Sequence, residues 1–196
     1  MKIPFVGPSE QARSTNASAQ RSVNCYLEMN NASPRAPIAL YGTPGLSSAF
    51  TLPTLSIRGS AILGAFAIYV SGSGVYKVDS AYAATLLGTI GSYTGPVGIT
   101  SNGVQVLIVD GVSGWLATTT TLTQITDVDF PAGVTSADFL DGYFIVAGDG
   151  TQLFYINETP NVGTDWNGLD FGSAEGAPDD VIAVKVDHRE AWMFGS

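Results

Sequence analysis

The chain has 196 residues, 45% hydrophobic and 13% charged, enough apolar material for a buried core, which excludes a disordered polymer. Its net charge of −9 is uneven: five cations and two anions up to Arg58 give +3, while three cations and fifteen anions from Gly59 onward give −12. An acidic body excludes a surface that grips nucleic acid through its phosphates, and a lone cysteine, Cys25, excludes an intramolecular disulfide or a cysteine-built zinc cage.

Residues 1–56 are expected to form an extended, irregular arm. Prolines at 4, 8, 34, 37, 44 and 53 break any helix, and the polar stretch from Ser9 to Asn24 holds no sustained period. Ile3, Phe5, Val6, Val23, Tyr26, Leu27, Ile38, Leu40 and Tyr41 give the arm apolar anchors that need a surface to lie on. The residues after Met1 lack the apolar core of a signal peptide, and no apolar run of about 18 residues occurs, so neither signal-directed export nor a membrane span is expected. Synthesis in the cytosol fits the single cysteine.

Residues 57–196 repeat one module. FAIYVSGSGVYKVD (66–79), VQVLIVDGVSGWLA (104–117) and YFIVAGDGTQLFYI (143–156) each set a β-branched or aromatic run, a Gly-rich turn and a second such run in the same order. The first unit reads IRGSAILG, AFAIYVSGSG, VYKVD and AATLLGTIG, the second VGITSNG, VQVLIVDG, GWLAT and LTQITD, the third VTSADFLDG, YFIVAGDG, TQLFYIN and a tail through WNGLDFGSAEG. VIAVKVDHR and EAWMFGS open a fourth. Asn102-Gly103 and Asp141-Gly142 suit type I′ hairpin turns at equivalent places. Val70, Val109 and Val146 stand 39 and 37 residues apart, and Gly148 to Gly195 is a longer step of 47 that crosses a loop-like stretch, ETPNVGTDWNGLDF.

Four antiparallel strands repeating every roughly 40 residues predict an all-β chain of β-propeller blades. A β-sandwich with recurring strands is the alternative. Three blades and part of a fourth do not close a ring, so the chain is expected to be part of a longer protein or to be completed by partner subunits.

No catalytic, metal-ligating or cofactor-binding residue is nominated, and no enzymatic activity is expected. His188, the single histidine, lacks companion ligands and sits in a turn. Asp127 with Asp129, and Asp179 with Asp180, do not continue into a calcium-loop pattern and read as solvated turns. No G-x-S-x-G elbow is present, and the Gly-rich stretches GSGVYK and AGDGTQ belong to hairpins rather than to a phosphate-holding helix start. Trp115 and Trp192 fall on strands and are expected to pack between blades, whereas Trp166, in TDWNG, reads as an exposed loop residue and is the candidate ligand contact.

The arm carries a multi-part motif: Pro4 to Pro8 (PFVGP), Ala12 to Asn16 (ARSTN), Ala19 to Tyr26 (AQRSVNCY) and Tyr41 to Leu46 (YGTPGL). In this order it resembles the amino-terminal signature of the tail accessory, or packaged-DNA stabilisation, proteins of short-tailed bacteriophages, with Cys25 departing from the aliphatic residue common there. The resemblance implies a virion protein of the tail or neck, made in the host cytoplasm, that assembles as a homo-oligomeric ring beneath the portal, extends the tail tube and helps hold packaged DNA. Its partners would be other tail, portal and adaptor proteins, with no sequence-specific nucleic-acid binding. Phe5, Arg13, Arg21 and Tyr26 are the candidate interface residues of the arm. The alternative function is a glycan-binding propeller at a tail tip or cell surface, with Trp166 and the loop acids as its site.

Overall fold

A computed structural model describes residues 24–29, 38–53, 56–174, 176 and 179–196. The chain divides into two compact units, Met1–Ser48 and Ala49–Ser196.

Within the first unit, β1 (Cys25–Met29) and β2 (Ile38–Gly42) pair antiparallel, with Tyr26 opposite Tyr41 and their rings stacked 5.8 Å apart. Such aromatic cross-strand pairs are a common unit of sheet stabilisation. The amide and hydroxyl of Thr43 both donate to the carbonyl of Asn24, which closes the end of the ladder at 2.8 and 3.1 Å. Part of the arm is therefore a regular two-stranded ribbon.

The second unit is all-β. Its first sheet is β3 (Ile57–Leu63), β4 (Phe66–Ser71), β5 (Gly74–Val78) and β6 (Ala84–Thr89), each strand hydrogen-bonded to the next in sequence. The second is β7 (Gly98–Ser101), β8 (Val106–Val109), β9 (Gly114–Ala117) and β10 (Leu122–Gln124). The third is β11 (Ser136–Leu140), β12 (Tyr143–Ala147), β13 (Leu153–Asn157) and β14 (Trp166–Ser173), and β15 (Val181–Asp187) pairs with β16 (Glu190–Gly195) as the fourth. The first strands of successive sheets, β3, β7, β11 and β15, are neighbours. These are propeller blades, three complete and one two-stranded, and they do not close a ring.

Strand alternation decides what lies between blades. Ile68, Val70 and Val75 of blade 1 meet Val106 and Ile108 of blade 2 in one core. Leu107 and Val109 on the other side of blade 2 meet Ala137, Phe144 and Val146 of blade 3 in a second. Ile145 and Ala147 on the far side of blade 3 meet Val181 and Val184 in the third. The second and third sheets thus spend both faces on neighbours, which is why β8 is buried at all four of its residues.

Close approach of the inner strands depends on a small residue at one position per blade: Gly59, Gly98, Ser136 and Ala183, opposite Val70, Val109, Ala147 and Phe194. A β-carbon on Gly98 would stand 2.7 Å from the carbonyl oxygen of Thr135 and 2.8 Å from the amide of Ala137. At the third joint the Ser136 hydroxyl accepts from the amide of Val184 at 3.0 Å.

The hairpin turns differ from their sequence reading in one place. Asp141 and Gly142 both have positive φ, 48° and 100°, as a type I′ turn requires, and His188 and Arg189 do the same at 50° and 65°. At the second blade only Gly103 is positive. There the Asn102 amide donates to the Gln105 carbonyl at 3.1 Å and the Asn102 side-chain oxygen accepts from the amides of Val104 and Gln105, so the turn falls on Gly103 and Val104, one residue later than Asn102-Gly103.

Candidate functional site

Among the described residues of the second unit, Arg58 is the most highly connected polar side chain. It stands on β3 between Ile57 and Gly59, where the register with β4 shifts and strand alternation is broken, and it is 8% exposed. Its guanidinium donates five hydrogen bonds: Nε to Gly95 O at 2.6 Å, Nη1 to Gly72 O and Ser92 O at 2.8 and 2.9 Å, and Nη2 to Ser92 Oγ and Thr94 O at 2.7 and 3.0 Å. Burial pulls its pKa down and the nearby Asp110 carboxylate pushes it back up. Asp110 is itself 8% exposed and accepts from the amides of Ser92, Val112 and Ser113 at 2.8–3.0 Å. Together they fasten the 90–97 connection between blades 1 and 2 to the turn after β8. The planar fork of arginine suits this work, since it meets several carbonyls at fixed angles.

Later joints carry their own fastenings. Thr100 on β7 donates to Asp138 at 3.3 Å, and Asp138 accepts from the amide of Val186 at 2.9 Å and from Lys185 at 3.4 Å, so one carboxylate spans blades 2, 3 and 4. Asp127 accepts from the amide of Asp129 at 3.0 Å and from that of Trp166 at 3.1 Å. Both bonds hold its pKa below the usual carboxylate value, against a smaller upward push from burial. Arg189 reaches Asp141 at 3.0 Å, though both side chains are largely exposed, where such pairs contribute about 0–1 kcal/mol. On the third blade the Tyr155 hydroxyl donates to Asp149 at 2.8 Å; burial first, and then this carboxylate, raise its pKa.

Trp166 is a correction. It is 3% exposed, begins β14, meets the Phe130 ring edge-on at 4.9 Å and donates its indole N–H to Gly163 O at 2.8 Å. The polar neighbours Asp165, Asn167 and Gly168 made it read as a loop residue, but the outer strand of a blade alternates, and Trp166 falls on the inward side. The glycan alternative loses its stacking platform with it. Trp115 packs partly buried at the first joint, as its strand position implies, while Trp192 is 54% exposed because no sheet covers that face of β16. Tyr26 is half-exposed on β1, and Phe5, Arg13 and Arg21 lie outside the described residues.

His188 is exposed and pairs with its neighbour Asp187 at 2.7 Å. Among the described residues no cluster of three His, Cys, Asp or Glu side chains is placed to hold a metal ion, and no helix is long and apolar enough to cross a membrane. Sequence reasoning missed Arg58, Asp110 and Asn157. Alternation gave no signal for Arg58, which shares its parity with the exposed Ser60 and Ile62; the register shift between Ile57 and Gly59 takes it out of that pattern. Asn157, fully buried, accepts from the amide of Phe144 at 2.6 Å and donates to Thr159 and Val162 carbonyls, so it closes a turn.

Fold and polar groups together define a blade-repeat protein whose organised side chains serve the joints between sheets. Over residues 1–196 the sequence matches the phage stabilisation family described as bacteriophage P22 Gp10, beta-propeller. The chain belongs to that family and is a structural protein of the bacteriophage particle, where it meets other virion proteins. No curated protein matches it.

Proposed function

We propose that the chain acts by assembly, not catalysis, as a component of the phage neck or tail. In this reading it is made in the host cytoplasm and forms a homo-oligomeric ring beneath the portal. The ring extends the tail tube and helps retain packaged DNA. Portal, adaptor and other tail proteins are its neighbours, and Phe5, Arg13, Arg21 and Tyr26 of the arm supply contacts to them.

The observation that carries this reading is the family match along the whole chain. Two physical features support it. Blades fastened at every joint make a stiff body suited to a wall. The −12 balance after Gly59 repels phosphate, so a duplex can pass such a wall without being held.

Electron cryomicroscopy of the parent virion tests the location: density for the chain below the portal is expected, and density confined to the capsid shell or tail tip would overturn it. For the arm, the double variant Arg13→Glu, Arg21→Glu is expected to lower incorporation into particles at least tenfold, with folding of the body unchanged. Particles made without the chain are expected to lose packaged DNA after filling, read as empty heads of full size.

A further inference from the structure

An asparagine followed by glycine is the pair most open to spontaneous loss of the side-chain amide. The backbone nitrogen of the glycine attacks Cγ of the asparagine, and it comes close because glycine has no β-carbon to hinder it. Two such pairs occur in the chain, Asn102-Gly103 and Asn167-Gly168. In both, the asparagine side-chain oxygen accepts from the amide two residues on, Val104 at 3.0 Å and Leu169 at 3.0 Å. That bond folds the side chain over the following peptide and brings Cγ toward the glycine nitrogen.

The surroundings of the two pairs differ. Asn102 closes the β7–β8 hairpin: its side-chain oxygen accepts a second bond, from the Gln105 amide at 2.8 Å, and its side-chain nitrogen is buried. The Gly103 amide donates to Ser101 Oγ at 3.1 Å. The nucleophile is therefore engaged, the electrophile is fixed, and the leaving nitrogen is shielded from water. Asn167-Gly168 lies instead on the outer strand of blade 3, where the register with β13 passes from Asn157 opposite Trp166 to Tyr155 opposite Phe171. Residues 167–170 fall within that shift, a bulge that faces Ile156. Gly168 is exposed, and Leu169 beside it is 82% exposed. The bulge has the conformational freedom that the ladder denies to the residues on either side.

We propose that Asn167 is a site of spontaneous deamidation in the folded protein, and that the β7–β8 turn protects Asn102 from the same reaction. The Gly168 amide nitrogen gives its proton to solvent hydroxide and forms a bond to Asn167 Cγ. The bond from Cγ to Nδ2 breaks, and the side-chain nitrogen takes a proton from water and leaves as ammonia. Water then opens the cyclic imide at either carbonyl, which yields aspartate or, where the chain is left running through the side chain, isoaspartate. The balance is one water consumed and one ammonia released, with nothing oxidised or reduced. Each event adds one negative charge to a segment that already carries Asp170 and that lies against Asp129, whose carboxylate is 3.2 Å from where a β-carbon on Gly168 would stand. Isoaspartate also lengthens the backbone just after Trp166, whose amide is tied to Asp127. The product thus places charge and slack at the joint between blades 2 and 3. This chemistry is independent of where the chain sits in the particle.

The test incubates the full chain in mildly alkaline buffer and follows the peptides of both pairs by mass spectrometry, beside a sample held unfolded in urea. In urea the two pairs are expected to convert at comparable rates. In the folded protein Asn167 is expected to convert about tenfold faster than Asn102 or more, and faster still as pH rises, because the nucleophile must lose a proton. Enzymatic methylation of the new α-carboxylate reads the isoaspartate fraction separately. Ser101→Ala, which removes the acceptor of the Gly103 amide, is expected to raise conversion at Asn102 several-fold. Asn167→Gln, whose longer side chain closes the ring far more slowly, is expected to abolish the acidic species that builds up on isoelectric focusing of wild type. Equal rates at the two pairs in the folded protein, or a faster Asn102, overturn the proposal. So does an Asn167 that stays intact in the folded chain while the urea sample converts in full.

Discussion

The hairpins β11–β12 and β15–β16 share their turn register and each has a small residue at the inner position, Ser136 or Ala183, yet the row that is core in the first is surface in the second. Ile145 is 5% exposed and its counterpart Trp192 is 54% exposed. What separates them is a neighbour, not a local preference. In a blade-repeat protein each sheet is too thin to bury its own apolar rows, so stability comes from the joints. The comparison predicts that equal substitutions on the two hairpins have unequal costs.

The largest gap is expected from truncation. Phe144→Ala empties a fully buried site at the second joint and should cost about 3–5 kcal/mol, while Trp192→Ala under dilute conditions should stay within about 0.5 kcal/mol. Urea unfolding of both variants reads the difference, and a large cost at Trp192 in a monomer would break the comparison. Next comes Arg58→Met, which keeps much of the apolar stem and removes the donor that serves Gly72, Ser92, Thr94 and Gly95. Four carbonyls and a hydroxyl lose their partner, at about 2–3 kcal/mol in total because several sit near water. Arg58→Lys should recover only part of this, since an ammonium has three donors and no planar fork.

Backbone approach gives a smaller and more diagnostic effect. Gly98→Ala sets a β-carbon against backbone atoms of β11 and its preceding residue, which cannot swing aside, and is expected to cost about 1–3 kcal/mol. At the equivalent open position Ala183→Val should be nearly silent in the monomer and should weaken any contact made across that face. Equal effects at the two positions would mean that the row equivalence does not govern packing.

Much of this architecture was legible because strand period and turn chemistry agree. YFIVA between Asp141-Gly142 and Gly148 is a strand by alternation and by its boundaries, and β3 to β5 read the same way. Less legible was which side of each strand meets a neighbour, since both faces of a blade are apolar and alternation alone is symmetric. Arg58 shows the limit most clearly: its acceptors lie 14 to 37 residues away, in turns whose conformation no local pattern announces. Trp166 failed for the opposite reason, a local pattern of Asp, Asn and Gly that suggested a loop where sheet pairing with β13 made a strand. In the arm the pairing of β1 with β2 could have been read from CYLEM and IALYG, but prolines on either side drew attention to disorder of pattern instead.

The smallest expected effect concerns the tie between the loop after β10 and the start of β14, which joins blades 2 and 3. Asp127 accepts two backbone amides, and they hold its pKa below the ordinary 3.8. A carboxylate with a depressed folded pKa adds stability that is present above its unfolded pKa and disappears as pH falls through the folded one. Wild type should therefore be more stable than Asp127→Asn at pH 5–7, with the gap constant there, and the gap should narrow once the pH drops below about 3.8. The asparagine keeps one acceptor oxygen in place, so what the comparison isolates is the charge. Because Asp127 joins one blade to the next, its loss should lower the unfolding midpoint while protection of amides within β3 to β6 changes little, as hydrogen exchange on both proteins would show. A gap that is flat down to pH 2 would mean that the two amides are held by geometry alone and that the carboxylate charge contributes nothing to this joint.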